Sequence, residues 1–144
     1  MTEFAGSFAG RVRVLNILSL SDTSQHELHT VEITGPQSST DDKWNGAKVT
    51  YWGVSDLVSG NGTQRGYYVN ERPDGSRDWG TFEGEVTTSQ GQMVVEGRWQ
   101  STEGTGRFAG LKAEGSYTTR LTSPTEVQCT WQGRYEIAVS AQAA

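Results

Sequence analysis

The sequence predicts an all-β domain: a closed eight-stranded antiparallel barrel, mostly of meander topology, with a central cavity. Three observations predict it. Strand-like runs rich in Thr, Val and aromatic residues recur along the chain, with no helical period of convincing length between them. Short turn signals separate most of these runs. Eighteen glycines among 144 residues exceed the usual ~7%. They fall inside the runs, where glycine marks bulges, bends and close backbone approach. A sheet this curved removes its exposed edges by closing.

The expected strands, in order, are Arg11–Leu18, Glu27–Gly35, Lys48–Val58, Gln64–Glu71, Arg77–Thr88, Gln92–Ser101, Lys112–Leu121 and Glu126–Val139. Asn61-Gly62, Pro73-Asp74-Gly75, Gln90-Gly91 and Ser123-Pro124-Thr125 are the expected turns. The polar segment from Gly35 to Asp42 is expected as a loop, either a lid over the barrel mouth or a plain connection. One domain spans 1–144, with residues 1–8 and 140–144 as tails.

Two hairpins can be given a register. A two-residue turn at Gln90-Gly91 sets Val86 opposite Val95, Gly84 opposite Gly97 and Phe82 opposite Trp99. The other face then pairs Glu85 with Glu96 and Glu83 with Arg98. A three-residue loop at Ser123-Pro124-Thr125 sets Leu121 opposite Val127, Thr119 opposite Cys129, Tyr117 opposite Trp131, Gly115 opposite Gly133 and Ala113 opposite Tyr135. Its other face pairs Arg120 with Gln128 and Glu114 with Arg134. Each hairpin has one aromatic-and-glycine face and one hydrophilic face, a sorting that a one-residue slip would destroy. Asn61-Gly62 supports a third hairpin of undetermined register.

Composition bounds the function. The net charge of -5 gives no electrostatic reason to bind nucleic acid or an anionic membrane surface, and no run of Lys and Arg overrides it. Mean hydropathy is -0.59, yet five Trp, five Tyr and four Phe can anchor a core. One cysteine, Cys129, excludes an intrachain disulfide framework and a Cys-rich metal site. The N-terminal stretch has no signal-peptide pattern, and no segment approaches the ~20 apolar residues of a membrane-spanning helix. A cytoplasmic location is the expectation.

The segment Ser101–Leu111 carries Gly104, Gly106 and Gly110. Its spacing fits neither a P-loop nor a dinucleotide fingerprint, and no helix is expected after it. It is expected to be a tight crossing at one end of the barrel. Gly104-Thr105-Gly106-Arg107-Phe108-Ala109-Gly110-Leu111, followed by Gly115-Ser116-Tyr117, resembles the late barrel motif of allene oxide cyclases, dirigent proteins and a group of small bacterial barrels. Trp131-Gln132-Gly133-Arg134-Tyr135-Glu136 resembles the closing strand of that bacterial group. The specific motif covers about a dozen residues; strand count and order carry the likeness more weakly along the chain. The resemblance implies a calycin-like eight-stranded barrel with an interior cavity, often in oligomers. For activity it implies cofactor-independent ring closure or the orientation of reactive intermediates. The families' functional residues lie outside the matched motif, so no catalytic role is carried onto this chain.

The candidate site residues follow from the two registers. Phe82, Trp99, Tyr117, Cys129, Trp131 and Tyr135 are the candidate ligand-binding set: they are either plain core or the lining of a pocket for a flat or lipid-like molecule. Cys129 has no base beside it and is expected to be an inert thiol. Glu83, Glu96 and Arg98, with Glu85, are the candidate catalytic group. Turned inward, two close carboxylates would share a proton and supply a general acid or base. Turned outward they form a solvated ion-pair face, the favoured expectation for a small barrel. His26 and His29 lie three apart, which on a strand sends them to opposite faces, so neither a metal site nor a cofactor is expected. Among the remaining aromatics, Trp44, Trp52, Tyr67, Tyr68 and Trp79 crowd the middle of the chain. The functional expectation is a barrel that binds a small apolar or amphipathic molecule, with a cofactor-independent cyclase or isomerase as the alternative. Its expected partners are that small molecule and further copies of itself, as a dimer or trimer.

Overall fold

A computed structural model describes residues 1–138. Eight strands follow one another: β1 (Thr2–Leu20), β2 (His26–Ser39), β3 (Lys48–Val58), β4 (Asn61–Glu71), β5 (Arg77–Ser89), β6 (Gln92–Gly104), β7 (Leu111–Ser123) and β8 (Glu126–Ile137). Each pairs antiparallel with the next, and β1 pairs with β8, closing the barrel. No helix among the described residues is long and apolar enough to cross a membrane.

Both inferred registers are present residue for residue. Phe82 faces Trp99, Gly84 faces Gly97 and Glu83 faces Arg98. Tyr117 faces Trp131, Gly115 faces Gly133 and Glu114 faces Arg134. The turn between β5 and β6 puts Gln90 and Gly91 at φ of 54° and 77°, the left-handed pair that matches strand twist in a two-residue hairpin.

Three expectations are corrected. Residues 1–8 are not a tail: Thr2 to Arg11 pair with β8, and Phe4 and Phe8 are buried. The alternation there was hidden because Ala5, Ser7 and Ala9 give little polar contrast to Phe4, Gly6 and Phe8. The turn between β3 and β4 is Ser59-Gly60, not Asn61-Gly62; Val58 faces Asn61, and Ser59 and Gly60 hold φ of 52° and 80°. Asn61 instead anchors the turn from inside β4, donating to the Ser59 carbonyl and accepting from the Thr88 N–H. The segment from Gly35 to Ser39 continues β2, so the loop begins at Thr40. Val139 and residues 140–144 lie outside the described residues.

The ends of the barrel differ. At one end lie the four hairpin turns. At the other, the β2–β3 loop, the β4–β5 turn and the β6–β7 crossing fold over the opening. The crossing contains a 3₁₀ turn, Gly106–Phe108, which buries Phe108 completely. Its glycines are required: Gly106 and Gly110 have φ of 59° and 81°, and a Cβ at Gly104 would overlap the Phe108 carbonyl. The interior holds two apolar clusters. One fills the barrel around Phe8, Tyr51, Phe82 and Tyr117. The other plugs the loop end around Phe4, Trp44, Phe108 and Tyr135. Trp99 and Trp131 pack against both.

Candidate functional site

Aromatic rings lean on glycine backbone inside the barrel. A Cβ at Gly115 or Gly133 would meet the Trp99 indole at 2.7 and 2.6 Å, and a Cβ at Gly66 would meet Phe82 at 2.6 Å. Gly97 leaves the same room for Tyr117. Paired glycines on neighbouring strands therefore make the volume that the large rings fill. The rings meet edge to face: Phe82 lies 5.5 Å from Tyr51 and 5.8 Å from Tyr117, and Trp99 lies 5.8 Å from Trp131.

A space of about 90 Å³ remains among them. Phe82, Trp99, Tyr117, Cys129 and Trp131 line it, as the strand registers place them. Tyr135 does not; it sits in the plug and donates a 2.5 Å hydrogen bond to Asp41. Burial and this bond push the Tyr135 hydroxyl up to about 12. Against its own burial, the Tyr135 hydroxyl and the Lys43 amide hold the Asp41 carboxyl low.

The lining also contains residues that the sequence reading did not place. Phe4 and Phe8 come from the first half of β1, and Tyr51 and Tyr68 from β3 and β4. Tyr51 and Tyr68 face one another directly; a turn set at Ser59-Gly60 would have revealed that pairing. A polar chain crosses the loop end of the space. Trp131 Nε1 donates to Gln37 at 2.8 Å, Gln37 to Asn70 at 3.4 Å, and Asn70 to Asp78 at 3.0 Å. Asp78 Oδ1 lies 2.7 Å from Arg72 Nη1, and both side chains are buried. The guanidinium carbon stacks 3.5 Å over the Phe108 ring, and Arg72 Nε donates to the Lys43 carbonyl at 2.7 Å. The pair is close, but its angle falls short of a good hydrogen bond, and Arg72 Nη2 has no partner among the described residues.

Burial shifts the titrating groups of the interior toward their neutral forms. Burial pushes Tyr51, Tyr68 and Tyr117 above the ordinary phenol range, so they act as neutral donors. The Tyr117 hydroxyl donates to Gln64 at 3.1 Å. Those of Tyr51 and Tyr68 make no side-chain hydrogen bond among the described residues. Burial also raises the Cys129 thiol to about 11, against a weaker opposing effect of Thr119, so at neutral pH it is no nucleophile. Asp78 is the carboxyl bordering the space, and burial raises it.

The candidate catalytic group lies elsewhere. Glu83, Glu85, Glu96 and Arg98 are exposed on the outer wall. Glu83 and Arg98 border a broad, solvent-open hollow around the barrel's waist. They pair across strands as the register required, but water surrounds them and nothing holds them near a shared proton. His26 bridges Asp22 and Asp56 at 2.7 and 2.6 Å, while His29 contacts Glu27 at 2.9 Å. The two histidines thus have separate partners, and the described residues hold no group of three or more metal-ligating side chains. No protein-family model matches the chain, and no curated protein matches it significantly.

Proposed function

We propose that the barrel binds a small apolar or amphipathic molecule in its interior. The observation that carries this reading is the space of about 90 Å³ walled by aromatic rings, Tyr51 and Tyr68 among them, whose hydroxyls make no side-chain hydrogen bond among the described residues. An acceptor oxygen on a ligand in that space would give such a hydroxyl a partner. The space is smaller than the ~150 Å³ that holds benzene in an engineered cavity. A short ketone or ether therefore fits as the rings stand, while an aromatic or lipid-like ligand requires Trp99, Trp131 or the plug to move.

Thermal denaturation with 2-butanone, phenol and decanoate tests the reading. The small ketone should raise the Tm in proportion to the logarithm of its concentration, and Tyr68→Phe should weaken that response. No shift with any of the three up to their solubility would overturn the proposal. The second reading, a cofactor-independent cyclase or isomerase, draws support from Asp78, a buried carboxyl bordering the same space. It requires Asp78→Asn to abolish turnover while leaving binding intact.

A further inference from the structure

We infer that the outer wall of the barrel carries a binding site for a neutral oligosaccharide, centred on Trp52 and Tyr67. Of the aromatic residues crowded in the middle of the chain, Trp44 and Tyr68 pack inside, whereas Trp52 is 41% exposed and Tyr67 66%. The two face each other across β3 and β4, which sets their Cβ atoms about 5 Å apart on the solvent face. Neither guards a sheet edge, because β3 and β4 both have strand neighbours on each side. A 2.7 Å hydrogen bond from the Trp52 indole Nε1 to Glu32 orients that ring. The Tyr67 hydroxyl makes no side-chain hydrogen bond among the described residues.

Both rings lie in the hollow around the waist. Gly53 faces Gly66 beside them, and there the bare backbone lies against the Phe82 ring within. Continuing the row of Trp52 and Tyr67 across the strands come Thr81 and Gln100. The row alongside carries Arg65, Glu83 and Arg98. From Trp52 to Gln100 is three strand spacings, roughly 14 Å. The result is a recessed track, aromatic at one end and furnished with hydroxyl, amide and guanidinium groups along the rest.

Chemistry selects the occupant. A pyranose ring has an apolar C–H face, which suits the electron-rich face of an aromatic ring, and a rim of hydroxyls that both donate and accept. The charges of the hollow are matched: four carboxylates and three guanidiniums line it. Glu83 stands between Arg65 and Arg98, and Arg134 donates to Glu114 at 3.0 Å. Paired in this way they offer hydrogen bonds without a strong net field, so a neutral polyol is favoured over a polyanion. Protein interfaces centre on apolar residues depleted in charge, unlike this hollow, and a flat lipid surface does not enter a recessed waist.

Affinity electrophoresis in native gels containing laminarin, xylan, galactomannan or soluble starch tests the inference, independently of anything bound inside the barrel. At least one of the four should retard the wild type. Tyr67→Ala removes a ring that stands mostly in water, so the Tm should hold while the association constant falls about tenfold. Trp52→Ala should weaken binding in the same way. Lys112→Ala, on the outer wall but outside the hollow, should bind as the wild type does. Three results would overturn the inference: no retardation by any of the four, retardation that Tyr67→Ala leaves intact, or a wild-type dimer in sedimentation that Tyr67→Ala makes monomeric, which would give the face to a protein partner.

Discussion

Glycine placement decides which side chains this barrel can hold. A Cβ at Gly115 would overlap the Gln132 carbonyl of the neighbouring strand and meet the Trp99 ring at 2.7 Å. The carbonyl belongs to a paired strand and cannot swing aside, so Gly115→Ala should cost about 3 kcal/mol, the upper part of the range for overpacked cores. Gly91 has open space around it but a φ of 77°, so Gly91→Ala should cost about 1 kcal/mol through backbone strain alone. Urea denaturation of the two variants checks the order. His26 gives a second residue-scale prediction. Its hydrogen bonds to Asp22 and then to Asp56 raise its pKa above the usual 6.5. The folded form binds the proton more tightly than the unfolded one. The stabilisation is therefore complete below pH 6.5 and is lost as pH rises through the higher folded value. An NMR titration should place His26 above 6.5, and Asp56→Asn should lower it. At this scale the sequence was informative where a turn set the register. Phe82 against Trp99 was legible because Gln90-Gly91 is the turn; Tyr117 against Trp131 was legible although Ser123 pairs with Glu126 and the turn is only Pro124-Thr125, because the irregularity between Leu121 and Ser123 takes up the extra residue. Tyr51 against Tyr68 was not, because Asn61-Gly62 is the stronger turn signal and stands two residues past the turn.

The plug is built from elements that share no local pattern. Trp44 sits in the β2–β3 loop, Arg72 in the β4–β5 turn, Asp78 on β5 and Phe108 in the β6–β7 crossing. Periodicity cannot associate such residues: the β4–β5 turn brings Arg72 to Asp78, and the β2–β3 loop and the β6–β7 crossing lay Trp44 and Phe108 over them. Their shared feature is that an ion pair is buried under aromatic rings. The 2.7 Å contact of Arg72 with Asp78 is reinforced by the Asn70 amide and the Lys43 carbonyl. Removing one partner strands a buried charge, whereas removing both leaves a shape that apolar side chains can fill. Asp78→Ala should therefore destabilise by about 3–5 kcal/mol. The double variant Arg72→Met with Asp78→Leu should recover most of that loss, as a chemical-denaturation cycle would show. The same contrast separates the plug from the outer wall. Glu83 and Arg98 face each other across strands in water, and Glu83→Ala should change stability by less than about 0.5 kcal/mol.

For the whole molecule, closure is the expensive step in forming the fold. β5 and β6 are joined by two residues, so Val86 meets Val95 across a short loop. Thr2 must find Tyr135 from the far end of the chain. For a flexible chain, lengthening a loop from about ten residues to about 130 adds roughly 2 kcal/mol of closure entropy. The β5–β6 hairpin is therefore expected to be structured in the folding transition state, and the β1–β8 seam to form after it. Phe4 and Val95 are both buried, so alanine at either costs enough stability to be measured. Stopped-flow tryptophan fluorescence should then separate them. Val95→Ala should slow refolding and leave the unfolding rate almost unchanged; Phe4→Ala should do the reverse, because its contacts to Trp44, Trp131 and Tyr135 form only once the seam has closed. Refolding of the wild type should fall in the millisecond-to-second range of non-local β topologies. If Phe4→Ala slowed refolding as much as Val95→Ala, the seam would belong to the nucleus, and the barrel would assemble around its two termini instead of closing upon them.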